Sequence, residues 1–282
     1  MKAIIMAGGL GSRLRPLTNE IPKPMVPIID KPIMLYIIEL LRAYDFNDIA
    51  VALNYKPDVI IDYFKDGSAF GVRLTYFIES SPLGTAGCVK NAADFLGDNF
   101  LAISGDSFTD IDLKAFSDFH FRKNASFSLA CKRLENTLGF GVLETERDGR
   151  IVKFIEKPDG GASGLVNTGI YIINKSVMDL IPDGFYDFGK DLLPKLADGG
   201  SRDFGKLRRS KFSGGNFYDL AKNGASKSAG GFFNSVNASV IKHDGRLYAY
   251  KTDCYWSDVG SLPAYYSTNY FVANNMDFFY RR

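Results

Sequence analysis

The stretch KAIIMAGGLGSRLRPLT (2–18) decides how the rest of the chain is read. Lys2–Met6 is a short apolar run with the character of a buried strand, and it ends at once in glycines. Gly8, Gly9, Gly11 and Ser12 then form a loop whose backbone N–H groups can approach phosphate oxygens without side-chain obstruction. Arg13 and Arg15 follow, offering bidentate donors to the same oxygens. The loop is not a Walker sequence, because no Gly-Lys-Ser/Thr follows, and Leu14 stands where a dinucleotide fingerprint needs its third glycine. A tight strand-to-helix turn would use the same glycines, so the loop alone leaves a purely structural alternative.

Outward from the loop, β-rich apolar runs alternate with helix-like segments. Ile33–Tyr44 carries apolar residues at helical spacing behind Pro32, and Asp48–Leu53 reads as a second strand. Val59–Phe64 reads as a short helix and Leu74–Ile78 as a third strand. Helices are expected at Thr85–Phe95 and Leu113–Lys123, with strands at Phe100–Ser104 and Phe127–Cys131. Such alternation implies parallel pairing in a layered α/β fold. Ligands of such sheets sit outside the carboxyl ends of the strands, where both the glycine loop and the Ser104-Gly105-Asp106 turn fall.

The pattern then changes. Gly141–Thr145, Ile151–Ile155 and Val166–Ile173 are closely spaced strands, which points to a β-rich second lobe. Phe188–Leu196 reads as a helix, Leu247–Lys251 as a strand and Leu262–Asn274 as a closing helix. Between them, residues 198–244 are rich in glycine and serine. The chain thus reads as a single domain with a first part at 1–132 and a second at 133–275, the latter interrupted by that stretch.

Composition excludes several function classes. With 282 residues, 46% of them hydrophobic, the chain can bury a substantial core. Lys+Arg 34 against Asp+Glu 32 leaves +2, so no basic excess points to nucleic acid. No apolar run reaches membrane-spanning length and the apolar start is too short for a signal peptide, so a cytoplasmic location is expected. Cys88, Cys131 and Cys254 are scattered and read as reduced thiols, not as a zinc site or disulfide frame. Only His120 and His243 are available for histidine chemistry.

Other residues could carry the chemistry. In PKPMVPI (22–28), prolines stiffen the loop and hold Lys23 as a second phosphate cation, ten residues beyond Arg13, although a free surface lysine is the plainer alternative. Asp106 ends the apolar strand of LAISGDS (101–107), where Mg²⁺ would be needed beside phosphates. A turn or capping aspartate would look the same. Asp258, in YWSDVG (255–260), is a candidate second ligand, though spacing alone cannot bring it near. Glu156 and Lys157 end another strand, as reading groups or as a solvated turn, and Asn167 is a polar residue among apolar neighbours that needs partners.

Together these motifs resemble the sugar-1-phosphate nucleotidylyltransferase family. GGLGSRLRPLT, PKPM, SSPLGTAG, SGD, EKP, VNTGIY and YWSDVG occur in family order over residues 1–197 and 246–275. The resemblance implies a Rossmann-like α/β fold with a mixed, mainly parallel central sheet, a nucleotide-binding part (1–132) and an attached β-rich sugar-binding lobe (133–275). It implies that Arg13 and Lys23 act on the triphosphate and that Asp106 and Asp258 hold Mg²⁺. Gly8, Gly9, Gly11, Ser12, Glu79, Gly84 and Thr85 would bind the nucleotide. Gly141, Glu156, Lys157 and Asn167 would bind the sugar phosphate. The partners implied are a nucleoside triphosphate and a sugar 1-phosphate; a homo-oligomer is compatible, and neither nucleic acid nor membrane is expected.

Glu79 stands where uridylyl and thymidylyl members of that family usually carry glutamine. An ionised carboxylate is acceptor-only and suits the N1–H and N2–H₂ donors of guanine; a solvent-facing glutamate is the alternative. FYDFGKDLLP (185–194) resembles mannose-1-phosphate guanylyltransferases. The expectation is therefore GTP and mannose 1-phosphate. The alternatives are a glucose-1-phosphate uridylyl- or thymidylyltransferase, or a non-catalytic nucleotide-sugar-binding regulator. The 198–244 stretch has no counterpart in the family pattern; its glycines and serines favour a flexible excursion, while Phe204, Phe212, Phe217, Phe232 and Phe233 offer docking groups for the body of the protein, and the stretch reads as a tolerated surface insertion or, more sharply, as a lid or oligomer contact.

Overall fold

The computed structural model describes residues 1–198 and 246–277. Strand β1 (Lys2–Met6) leads through the glycine loop to a small hairpin, β2 (Pro27–Ile28) and β3 (Lys31–Pro32), and then to helix α1 (Ile33–Ala43). Next come β4 (Asp48–Leu53), α2 (Pro57–Phe64), β5 (Arg73–Ile78), α3 (Gly84–Asn91) and β6 (Asn99–Ser104). A short β7 (Ser107–Thr109) and α4 (Leu113–Arg122) precede β8 (Phe127–Leu134), β9 (Val142–Thr145), β10 (Ile151–Ile155) and β11 (Gly164–Asn174). Helix α5 (Leu193–Asp198), β12 (Leu247–Lys251), β13 (Trp256–Asp258) and α6 (Leu262–Ala273) complete the described chain. The Gly/Ser-rich stretch with its five phenylalanines lies outside the described residues.

One mixed sheet joins both halves, as the Rossmann-like reading requires. β5, β4, β1 and β6 run parallel, with Ile4 opposite Ala50 on one side and Ala102 on the other. Side chains alternate across the pleat. Ile5, Val51 and Ile103 face the cluster that contains α1, while Ile4, Ala50 and Ala102 face the one that contains α3. Both faces are covered, which explains why β1 reads as a continuous apolar run rather than an alternating one. Small alanines on the second face let Ala86 and Val89 of α3 approach closely.

β11 positions the site. Along one edge it pairs antiparallel with β8; along the other, Ile170–Asn174 pair with β6 while Leu165 and Val166 pair with β9. The sheet therefore divides at residues 167–169, and its register against β8 shifts there. Gly169 takes φ +75°, and a Cβ on it would lie 2.8 Å from the Ser104 hydroxyl. The cleft opens in this division, beside the carboxyl end of β6.

Two expected helices differ. The one expected over Thr85–Phe95 runs over Gly84–Asn91, followed by turns. Over Phe188–Leu196, a widened π-type turn at Phe188–Leu192 precedes α5: Leu192 N reaches back to the Asp187 carbonyl at 3.2 Å, and Asp187 Oδ1 caps the start by accepting from the N–H groups of Gly189 and Lys190.

His120, buried on α4, meets Ser128 Oγ through Nδ1 at 2.9 Å and Asn99 Oδ1 through Nε2 at 3.2 Å. Burial lowers its pKa to about 4. The unfolded chain therefore binds the extra proton first, and the contribution of neutral His120 is complete above about 6.5 and lost as pH falls toward 4. Denaturant titrations over this range should show a loss of about 3 kcal/mol that the His120→Gln variant lacks; equal pH slopes in the two proteins would contradict it.

Candidate functional site

Gly11 starts the construction of the site. It sits at φ +63°, and a Cβ there would lie 2.9 Å from Lys23 Cβ and 3.0 Å from the Thr18 methyl group. The Thr18 hydroxyl donates to the Gly11 carbonyl at 2.8 Å, closing the loop over the proline-flanked segment. This contact lays the Lys23 stem under the glycine loop, so Lys23 is a buried lysine and not a surface one.

The Lys23 ammonium bonds Asp106 and reaches Asp258 Oδ1 at 3.1 Å. Asp258 arrives through a small antiparallel ladder in which β13 pairs with β7: Asp258 lies opposite Ser107 and Trp256 opposite Thr109. Val259 N donates to the Asp106 carbonyl at 3.2 Å and completes the junction. The largely exposed Arg13 guanidinium stands 4.0 Å from Asp258 Oδ2. The four residues expected to act on the triphosphate and metal thus converge.

Their charges are interdependent. Burial opposes the charged form of Lys23, but Asp106 and Asp258 outweigh it and hold its pKa above the ordinary lysine value. Burial likewise opposes Asp106 ionisation, yet the Lys23 ammonium keeps its pKa below the usual carboxylate value. Asp258 is raised, first by burial and then by the Asp106 charge. Two carboxylates beside an open cleft are a donor set that suits Mg²⁺, which fills its other positions with phosphate oxygens and water. Among the described residues no group of three or more His, Cys, Asp or Glu could hold a metal ion.

A cavity of about 260 Å³ adjoins this cluster, and Arg13, Thr85, Asp106 and Asp258 line it. Gly141, Glu156, Lys157 and Asn167 line it too. Asn167 N donates to the Gly141 carbonyl at 2.8 Å, and its side chain bonds the Tyr171 hydroxyl and Gly169 N. Glu156 Oε2 would lie 2.7 Å from a Cβ on Gly141 and 2.4 Å from one on Gly189, so both glycines are needed for the carboxylate to sit there. Lys157 Nζ stands 3.6 Å from Glu156 Oε1.

Gly8 and Glu79 meet each other and are not among the residues that line this cavity. Glu79 Oε1 lies 3.5 Å from the Cβ position of Gly8, and its Oε2 accepts from Leu83 N at 2.9 Å, next to Gly84. Glu79 is buried, not solvent-facing, and burial raises its pKa. A Cβ on Gly9 would meet open space, and Ser12 begins a single 3₁₀ turn. The Thr85 hydroxyl is engaged inside the protein: it donates to Asp187 Oδ2 at 2.9 Å and accepts from Phe188 N at 2.8 Å.

The profile of the nucleotidyl transferase family matches residues 2–275. This chain belongs to that family. It is 40% identical over 217 residues to UTP–glucose-1-phosphate uridylyltransferase of Synechocystis sp., covering 71% of this chain and 56% of that protein. It is 36% identical over 203 residues to mannose-1-phosphate guanylyltransferase 1 of Arabidopsis thaliana, covering 70% and 56%. The chain therefore spans little more than half the length of these relatives. The structure of HddC from Yersinia pseudotuberculosis complexed with GMP-PN superposes with a TM-score of 0.69 at 26% identity, covering 95% of this chain and 97% of that one.

Asp187, Tyr171 and Trp256 also line the cavity, and sequence reasoning misses them as site residues. Trp256 Nε1 and the Ser107 hydroxyl both donate to the Thr168 carbonyl at 3.0 Å, which ties β13 to the division in β11. Only Asp187 carried a usable signal, as an aspartate immediately before a helical pattern.

Gly11→Ala should destabilise the protein by about 1–3 kcal/mol through the left-handed backbone and the Lys23 contact. It should also lower any activity that needs Lys23. Thermal unfolding and turnover of the purified variant check this; an unchanged melting temperature would contradict the packing described.

Proposed function

We propose that this protein transfers a nucleotidyl group from GTP to mannose 1-phosphate, with release of pyrophosphate, as a cytoplasmic, Mg²⁺-dependent enzyme of small molecules. The observation that carries the reading is the convergence of Arg13, Lys23, Asp106 and Asp258 beside one cavity. In the reaction, an oxygen of the sugar phosphate bonds the α-phosphorus as the bond to the β-phosphate oxygen breaks. The sugar phosphate is already an anion, so no strong base is required, and no histidine is among the described residues that line the cavity. Arg13 and Lys23 stabilise the charge that moves onto the departing pyrophosphate. Mg²⁺ held by Asp106 and Asp258 would neutralise phosphate charge. Lys157 grips the sugar phosphate, while Glu156, Asn167 and the Gly141 backbone read the sugar.

For the base, the support is the position of Glu79. Its carboxylate faces Gly8 and is oriented by Leu83 N beside Gly84, where an acceptor suits the two adjacent guanine donors. A mismatched edge leaves acceptors facing each other, a cost of about 1–3 kcal/mol. The second reading, UTP with glucose 1-phosphate, is favoured by the Synechocystis relative at 40% identity.

A matrix of four nucleoside triphosphates against several sugar 1-phosphates, read by pyrophosphate release, separates the two. GTP with mannose 1-phosphate should be fastest, and Glu79→Gln should shift preference toward UTP; equal rates with GTP and UTP would end the Glu79 reading. Asp106→Ala should lower pyrophosphate release on the order of 100-fold or more, and undiminished release would contradict the metal role.

A further inference from the structure

The cavity wall that carries Glu156 holds a second carboxylate. Asp187 lines the same cavity. A single point, the position a Cβ would take on Gly189, lies 2.4 Å from Glu156 Oε2 and 3.4 Å from Asp187 Oδ1. The two acids therefore flank one bare stretch of backbone. Asp187 is firmly held: Oδ1 accepts from Gly189 N at 2.9 Å and Lys190 N at 3.0 Å, and Oδ2 accepts from the Thr85 hydroxyl at 2.9 Å. A carboxylate offers about four acceptor positions, so Oδ2 keeps one for a ligand. Behind Asp187, Asp191 Oδ2 accepts from Asp187 N at 2.8 Å and adds to the negative field.

We infer that Asp187 and Glu156 form an acceptor-only wall that selects neutral sugars with hydroxyl donors and rejects sugars that carry a carboxylate of their own. This deepens, and rests on, the reading of the cavity as a sugar 1-phosphate site. Hydroxyl groups donate to both carboxylates, whereas a uronate places a third negative charge against them and leaves acceptors facing acceptors. Lys157 and Lys190 are the cations that act on Glu156. Both are exposed, and Lys157 is also the group placed to meet the phosphate of the substrate. The mutual repulsion is visible in Glu156, whose pKa is raised by burial and, against Lys157, by Asp187. Asp187 is a specificity-determining residue in this account, and its exchange for asparagine removes a charge while Oδ1 keeps its two backbone donors.

The experiment compares kcat/KM for a hexose 1-phosphate and the corresponding uronic acid 1-phosphate, with the same nucleoside triphosphate. Wild-type protein should disfavour the uronate on the order of 100-fold or more. Asp187→Asn should narrow that ratio at least tenfold, through KM for the sugar phosphate, with KM for the nucleotide unchanged. A uronate used within tenfold of the hexose, or an unchanged ratio in an active Asp187→Asn variant, would overturn the inference. Should that variant fail to fold, the wild-type ratio decides together with Glu156→Gln, which must also narrow it. If no nucleotide and sugar phosphate pair releases pyrophosphate, the transferase reading fails, and calorimetry of the same two sugar phosphates tests the wall alone. Hexose 1-phosphate binding with much weaker uronate binding would support the wall; equal binding, or binding of neither, would refute it.

Discussion

The bond network of Lys23 with Asp106 and Asp258 is the constraint on which the rest depends. It joins three distant parts of the chain: the proline-stiffened segment after the glycine loop, the carboxyl end of β6, and β13. A buried ammonium is costly unless paired, and two facing carboxylates are costly unless a cation lies between them. Each group thus makes the others tolerable. The same mixture of charges is what a polyphosphate site requires, a surplus of donors for oxygens and a pair of hard oxygen ligands for a cation.

The fold delivers this cluster by interrupting its own sheet. Because β11 gives its edge to β6 for one half and to β9 for the other, a gap opens in the middle of an otherwise continuous surface. Asp106, Gly141 and Glu156 line the cavity there together with Asn167, which stands in the division itself. The Trp256 and Ser107 donors on the Thr168 carbonyl fix its irregular backbone. The cavity is thereby assembled from rigid strands, with Asn167 and Asp187 held within their own hydrogen-bond networks.

Much of this was legible in the residues. Lys2–Met6, Asp48–Leu53 and Leu247–Lys251 read as strands with the bounds they adopt, since β-rich apolar runs end abruptly in polar or glycine residues. Arg13, Lys23 and Asp106 were readable from their position after strands and between prolines. Asp258 was readable as a residue but not as a neighbour of Asp106, because three-residue strands such as β7 and β13 carry no periodicity and their pairing is set by tertiary packing. Thr85 reads as a nucleotide residue from its motif, and the bond its hydroxyl makes to Asp187 is set by packing that the motif does not show. Local sequence cannot distinguish a hydroxyl free for a ligand from one already satisfied.

Asp106 and Asp258 share one ammonium, that of Lys23. A double-mutant cycle on pyrophosphate release, with Asp106→Asn, Asp258→Asn and the pair, tests this most directly. Strong non-additivity is expected: once either acid is gone, losing the other costs little more. Losses that multiply, as for two independent sites, would contradict it.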